Sequence, residues 1–163
     1  MNRTAWVGLG ITGAALLLGR AGKTGVEEVE ALARVITSEA NGYSELERTA
    51  IAWTVRNRAQ KRGVTIARLV CSPTCGPCCN GRPFSSAREA TDTNRALAQR
   101  VLAAPQSEDP TRGATSFFEP RVQDKLVAEK RSGYRFTSEQ LRQRWRLSGQ
   151  RQKGIVGAFE LWT

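Results

Sequence analysis

Between Ala33 and Arg58 the chain reads ARVITSEANGYSELERTAIAWTVRNR, two helical patterns separated by a forced break. Upstream of the break, Val29, Leu32, Ala33, Ile36 and Ala40 share one face at helical spacing. Asn41-Gly42 stops that helix, because this pair tolerates positive φ. Ser44-x-x-Glu47 then opens a second helix with a capping box. Leu46, Ala50 and Trp53 lie on one side of it and Ile51 and Val55 on another. A helix apolar on two faces is expected to be central and buried. Asn57 continues the Leu46–Ala50–Trp53 line, so it is either a core amide with partners or a group lining a cleft.

The break also delivers a carboxylate to an unusual place. At about 100° per residue, Glu39 falls between Leu32 and Val35, on the edge of the apolar stripe and at the helix end. Apolar walls disfavour the charged form of a carboxylic acid, which raises its pKa. A general acid working near neutral pH needs that shift. A rim glutamate reaching out to solvent is the bland reading of the same position.

Composition narrows the chemistry. At 163 residues the chain is one domain, long enough for a core without help from metal or disulfides. It contains no histidine. Zinc amidases and zinc peptidases need histidine ligands, cysteine peptidases a Cys–His pair, and serine hydrolases usually a histidine base. Cleavage of a glycosidic bond by a carboxylic acid needs none of these, and no cofactor or metal.

The formal charge of +10 points to an anionic partner. From Arg121 to Lys153 there are ten Lys and Arg against three acids. That face, with Arg142, Arg144 and Arg146 among its cations, suits a wall rich in peptide carboxylates and anionic polymers. Nucleic acid is the second choice, because no groove-reading motif or RNA-binding aromatic signature accompanies the charge. A solvated surface without a dedicated ligand is the third.

The four cysteines, Cys71, Cys75, Cys78 and Cys79, are packed into nine residues rich in Pro and Gly. A zinc site prefers two separated pairs, and adjacent cysteines seldom share a tetrahedral site well. Two disulfides are expected, in an oxidising compartment outside the cytoplasm. Vicinal bonding is strained, which leaves 71–78 with 75–79, or 71–79 with 75–78. Residues 5–18 form an uncharged apolar run of signal-peptide length, short for a membrane span. Arg20 interrupts any clean cleavage site. A retained anchor, or a helix packed in a larger assembly, is therefore favoured over a cleaved signal, with residues 4–19 as the contact. Gly19 to Gly25 reads as a linker, giving a segment 1–25 followed by a domain 26–163.

Further along, a loop runs from Gly63 through the cysteines to Phe84. Ser86-x-x-Glu89 reads as the cap of a third helix reaching about Ala104, with Ala90, Asn94, Leu97 and Val101 inward. Gly113–Glu119 reads as a strand closed by Pro120. Helices are expected at 122–130 and after Thr137 or Ser138, and a last strand at Ile155–Trp162.

Several of these pieces, taken in order, resemble the SleB-type cell-wall hydrolases. They are ITSEANG with AWTVRNR, Arg82-Pro83-Phe84-Ser85, Asp109 to Phe118, and Ile155 to Trp162. The ordered set spans Glu30 to the C-terminus. The resemblance implies that Glu39, the glutamate of the E-A-x-G element, is the catalytic acid. It also implies an α+β fold: a mainly helical, lysozyme-like core with a small antiparallel sheet as one wall of the cleft. The chain departs from the family pattern at Tyr43, where a second glutamate is common, and at Ser116, near which a histidine is common. The implied reaction is cleavage of peptidoglycan between N-acetylmuramic acid and N-acetylglucosamine. With Glu45 and Glu47 in the next helix and Glu47 used by the cap, a second carboxylate is missing, which fits a lytic transglycosylase better than a hydrolase. A basic wall- or nucleic-acid-binding module without catalysis is the alternative. Phe84, Ser85, Thr115, Ser116 and Phe117, with Asn57, are the candidate sugar-binding residues. Strand alternation can send only Thr115 and Phe117, or Ser116 and Phe118, into the cleft. The expected setting is the bacterial envelope or periplasm, or a wall-piercing component of a phage virion.

Overall fold

The computed structural model describes residues 15–71, 84–131 and 133–163, and the fold is α+β. Helix α1 spans Ala15–Glu39 and buries Leu32, Ala33, Val35 and Ile36 completely. It runs without interruption through Gly19, Gly22 and Gly25, so the expected linker is helix instead. Each glycine costs such a helix about 1 kcal/mol against alanine. No proline interrupts the segment, and the downstream turns are anchored by packing. Most of the apolar run at 5–18 lies outside the described residues. Among the described residues no helix is long and apolar enough to cross a membrane. The helix stops as expected, with Gly42 at φ 89°.

Helix α2, Glu45–Arg62, starts on the Ser44–Glu47 capping box and ends on Gly63 in the left-handed conformation. It buries Ala50, Ile51, Ala52, Trp53, Thr54 and Val55, as expected of a central helix. Leu46 does not join them: it is 61% exposed, because the first turn projects beyond the core. After α2 come a single turn of helix, α3 (Ile66–Leu69), and strand β1 (Val70–Cys71). Strand β1 pairs in parallel with β2 (Phe84–Ser85), so backbone pairing ties together the two ends of the cysteine loop. Cys75, Cys78 and Cys79 lie outside the described residues, as does the side chain of Cys71, and with them the expected disulfides.

Helix α4 is Asp92–Ala103, capped by Thr91, whose hydroxyl accepts the Asn94 amide at 3.2 Å. The expected Ser86–Glu89 cap does not form. Ser86 is buried, Glu89 is ion-paired to Arg34 at 2.7 Å, and the Arg88 amide is held by Ser38 Oγ at 3.0 Å. These contacts with α1 claim the segment before a helix can start there. Leu97, Ala98 and Val101 of α4 complete the main core with α1, α2 and α3.

Strand β3 is Ser116–Phe118, shorter than expected, and Pro120 stands at the start of helix α5, Pro120–Ala128. Helix α6, Ser138–Leu147, begins on a second capping box, Thr137–Gln140. The expected single last strand is a hairpin, β4 (Gln152–Val156) and β5 (Phe159–Trp162). The sheet order is β3-β5-β4, all antiparallel, with Phe117 opposite Leu161 and Phe118 opposite Glu160. Gly157 makes the hairpin turn at φ 56°, and a Cβ there would collide with the Glu47 carboxylate. That carboxylate accepts the Ala158 amide at 2.8 Å, so the cap of α2 also fixes the hairpin.

Helix α6 is locked onto the sheet by Trp145, whose ring meets Phe118 at 5.3 Å and Trp162 at 5.6 Å. Beside it Arg142 grips the buried Glu160 with a 2.6 Å ion pair and also reaches Glu139 at 3.0 Å. Arg142 therefore belongs to the fold and not, as expected, to a free cationic face. Arg144 and Arg146 remain exposed.

Candidate active site

Glu39 is the last residue of α1, one residue before the chain turns at Asn41-Gly42. Its Oε1 accepts the backbone amide of Ser85 in β2 at 2.6 Å. The carboxyl borders a cleft of about 200 Å³ lined by Tyr43, Phe117, Phe118, Glu119, Val122, Gln123, Tyr134 and Phe159. The walls thus come from the turn after α1, from two sheet strands, and from α5 with the loop behind it. Aromatic packing fixes them. Tyr43 meets Phe159 at 4.7 Å, Phe159 meets Phe117 edge-on at 5.6 Å, and Phe117 stacks on Phe84 at 5.9 Å.

Burial raises the Glu39 pKa above its usual value, and the Ser85 amide pulls only partly in the other direction. The N–H occupies Oε1, and among the described residues Oε2 accepts no hydrogen bond, so it can carry a proton toward a ligand.

The expectation that Glu39 is the cleft's lone carboxylate is corrected. Glu119, at the end of β3, lines the same cleft and accepts a hydrogen bond from the Tyr43 hydroxyl. Burial pushes the Tyr43 phenol up to about 12, helped by the bond to Glu119 and by the charges of Glu119 and Glu47. Among the described residues neither Glu39 nor Glu119 is ion-paired. Among the described residues no three His, Cys, Asp or Glu side chains form a group that could hold a metal.

The expected sugar-binding residues separate into three places. Phe117 lines the cleft, Ser85 serves it through its backbone, and the buried Phe84 backs Phe117. Thr115 and Ser116 face a neighbouring recess instead, with Arg58, Lys61, Arg62, Gln150 and Thr163. Strict alternation fails because β3 has only three residues and turns directly into α5. Phe118 can then border the cleft while its ring packs on Trp145. Asn57 is a core amide and not a cleft residue. Its Nδ2 donates to Asp109 Oδ2 at 2.8 Å and to the Ala114 carbonyl at 3.1 Å, and its Oδ1 accepts Gln106 Nε2 at 2.9 Å. Asp109 in turn accepts the amides of Thr111 and Gly113, at 2.8 and 2.7 Å. The Asp109-Pro-Thr-Arg-Gly segment is thus a buttress that aims Ala114 and the strand after it.

Sequence reasoning missed Glu119, Val122, Gln123, Tyr134 and Phe159, and treated Tyr43 only as a departure. The signal for Glu119 was present: an acid between a strand and Pro120, where the chain must turn. Compared with protein-family models, with curated proteins and with solved structures, the chain shows no match.

Proposed function

We propose that the protein cleaves the glycan strands of peptidoglycan between N-acetylmuramic acid and N-acetylglucosamine, as a lytic transglycosylase of the SleB type. The observation that carries this reading is Glu39: a half-buried carboxyl with a raised pKa, at the edge of an aromatic-walled cleft, oriented by one backbone N–H. Aromatic faces suit the apolar faces of sugar rings, and a desolvated acid suits protonation of a glycosidic oxygen.

In this reading Glu39 Oε2 gives its proton to the bridging oxygen as the bond to muramyl C1 breaks. Positive charge then develops at C1 and the ring oxygen. Glu119, its orientation fixed by Tyr43, supplies the opposing charge. The Glu39 carboxylate next takes the proton of the muramyl C6 hydroxyl, O6 bonds to C1, and an anhydro ring forms. Glu39 ends protonated again, and no water is consumed. One carboxyl thus serves as acid and then as base. Glu119, held by the Tyr43 hydroxyl, acts in this reading through its field.

The exposed cations of the C-terminal third, Arg144 and Arg146 among them, would hold such an enzyme on an anionic wall, in the bacterial envelope or in a phage virion that breaches it. Incubation with purified sacculi tests the reading: the wild type releases soluble muropeptides and Glu39→Gln does not. Equal release by both removes Glu39 from the mechanism.

A further inference from the structure

We propose that the recess beside the cleft, formed by Arg58, Lys61, Arg62, Thr115, Ser116 and Gln150, is a carboxylate subsite that receives the peptide stem of a muramic acid bound at Glu39. The inference rests on the glycan-cleaving reading and extends it to the part of the substrate that the cleft does not hold.

The recess has a volume of about 320 Å³. Three cations from the last turns of α2 border it, with Thr163 on the same rim, and among the described residues no Asp or Glu forms an ion pair with the three. Arg58 is half-buried. Its Nη1 makes one long bond, 3.3 Å, to the Thr115 carbonyl, and its guanidinium lies 5.5 Å over the Phe84 ring. Burial and the neighbouring Arg62 both disfavour its charge. A cation left in that position gains from an anion arriving beside it.

A second observation is independent of charge. Gln150 Oε1 is shielded from solvent and accepts no hydrogen bond. An unpaired buried acceptor is costly, and turning the Gln150 amide toward the recess would present it to an N–H of a ligand. Cations for a carboxylate, hydroxyls for its second oxygen, and an unpaired acceptor for an N–H together match a peptide ending in a carboxylate.

Position supplies the link to the cleft. Ser116 lines the recess and the next residue, Phe117, lines the cleft, so strand β3 borders both sites. The Phe84 ring touches a residue of each, with the Arg58 guanidinium 5.5 Å over it and Phe117 stacked on it at 5.9 Å. A glycan in the cleft would carry its stem toward this recess.

The test compares intact muropeptide chains with the same glycan after an amidase has removed the stems. The ratio of kcat/KM for stem-bearing over stem-free glycan should fall about tenfold in Arg58→Gln and in the double variant Lys61→Gln/Arg62→Gln, the worth of one charge-assisted contact. Gln150→Met should lower the same ratio while leaving thermal stability equal or higher, since it removes an unpaired acceptor. A purely structural role would lower stability and leave the ratio alone. An unchanged ratio in all three variants overturns the subsite. If the wild type cleaves neither substrate, the glycosidase reading fails, and the recess is judged by calorimetric binding of a free stem tetrapeptide. Binding lost in Arg58→Gln supports it, and no binding by the wild type overturns it. Inorganic phosphate displacing the peptide no better than chloride supports a carboxylate site, whereas tighter binding of phosphate than of peptide overturns it.

Discussion

The amide of Ser85 meets Glu39 Oε1 at 2.6 Å, joining residues 46 positions apart across the seam between α1 and β2. The bond orients a carboxyl whose charged form burial disfavours. One consequence concerns stability. The Glu39 pKa is raised in the folded state above its ordinary 4.5. The folded protein therefore holds this proton more tightly than the unfolded chain, and stability is lost as pH rises through the folded pKa. Glu39→Gln should melt at an equal or higher temperature than the wild type at pH 8, and the gap should close below pH 4. A variant that melts well below the wild type at pH 8 would mean that the ionised carboxylate supports the fold.

Tyr43 and Glu119 should behave as a unit. Tyr43→Phe removes the hydroxyl that orients Glu119, and Glu119→Gln removes the charge. Each should lower kcat by about 10- to 100-fold with little change in KM, and the double variant should lose little more than the worse single one. Fully multiplicative losses would show that the two residues act separately.

Asp109 and Asn57 give the fold its acid-sensitive buttress. Burial alone would raise the Asp109 pKa, but the bonds from Thr111, Asn57 and Gly113 outweigh it and hold the group below its ordinary 3.8. That stability is present above the unfolded value and is lost as pH falls through the folded one. Asp109→Asn should flatten the acid limb of the unfolding curve below about pH 4. Asn57→Ala, which strands several buried partners, should cost about 2–3 kcal/mol in urea at neutral pH.

Local signals in the sequence carried much of the fold. The Asn41-Gly42 stop and the Ser44–Glu47 box are legible because both act within a few residues. Ser86–Glu89 has the same pattern and fails, because long-range contacts from Arg34 and Ser38 take its groups first. Glu39 was legible because a helix fixes which face a residue occupies. Glu119 was not, because its place in the cleft depends on where β3 stops and on a partner 76 positions away. Asn57 could be placed only by finding Asp109 and Ala114 beside it. The divergence of Thr115 and Ser116 from Phe117 follows from a strand too short to keep strict alternation.

The cysteine loop leaves β1 and returns at β2, whose pairing holds its two ends together. The four cysteines should form two disulfides, so intact mass should rise by four hydrogens on reduction. Stoichiometric zinc, with thiols that become titratable only after chelation, would contradict this.

The central claim is that Glu39 cleaves glycan by serving as acid and then as base. Mass spectrometry of the muropeptides released from purified sacculi tests it most directly. The account predicts products ending in 1,6-anhydromuramic acid, 18 Da lighter than their hydrolytic counterparts by the one water not consumed, and none from Glu39→Gln. Products with reducing ends would assign water activation to the second carboxylate and contradict the transglycosylase mechanism. The absence of any release from the wild type would contradict the enzyme itself.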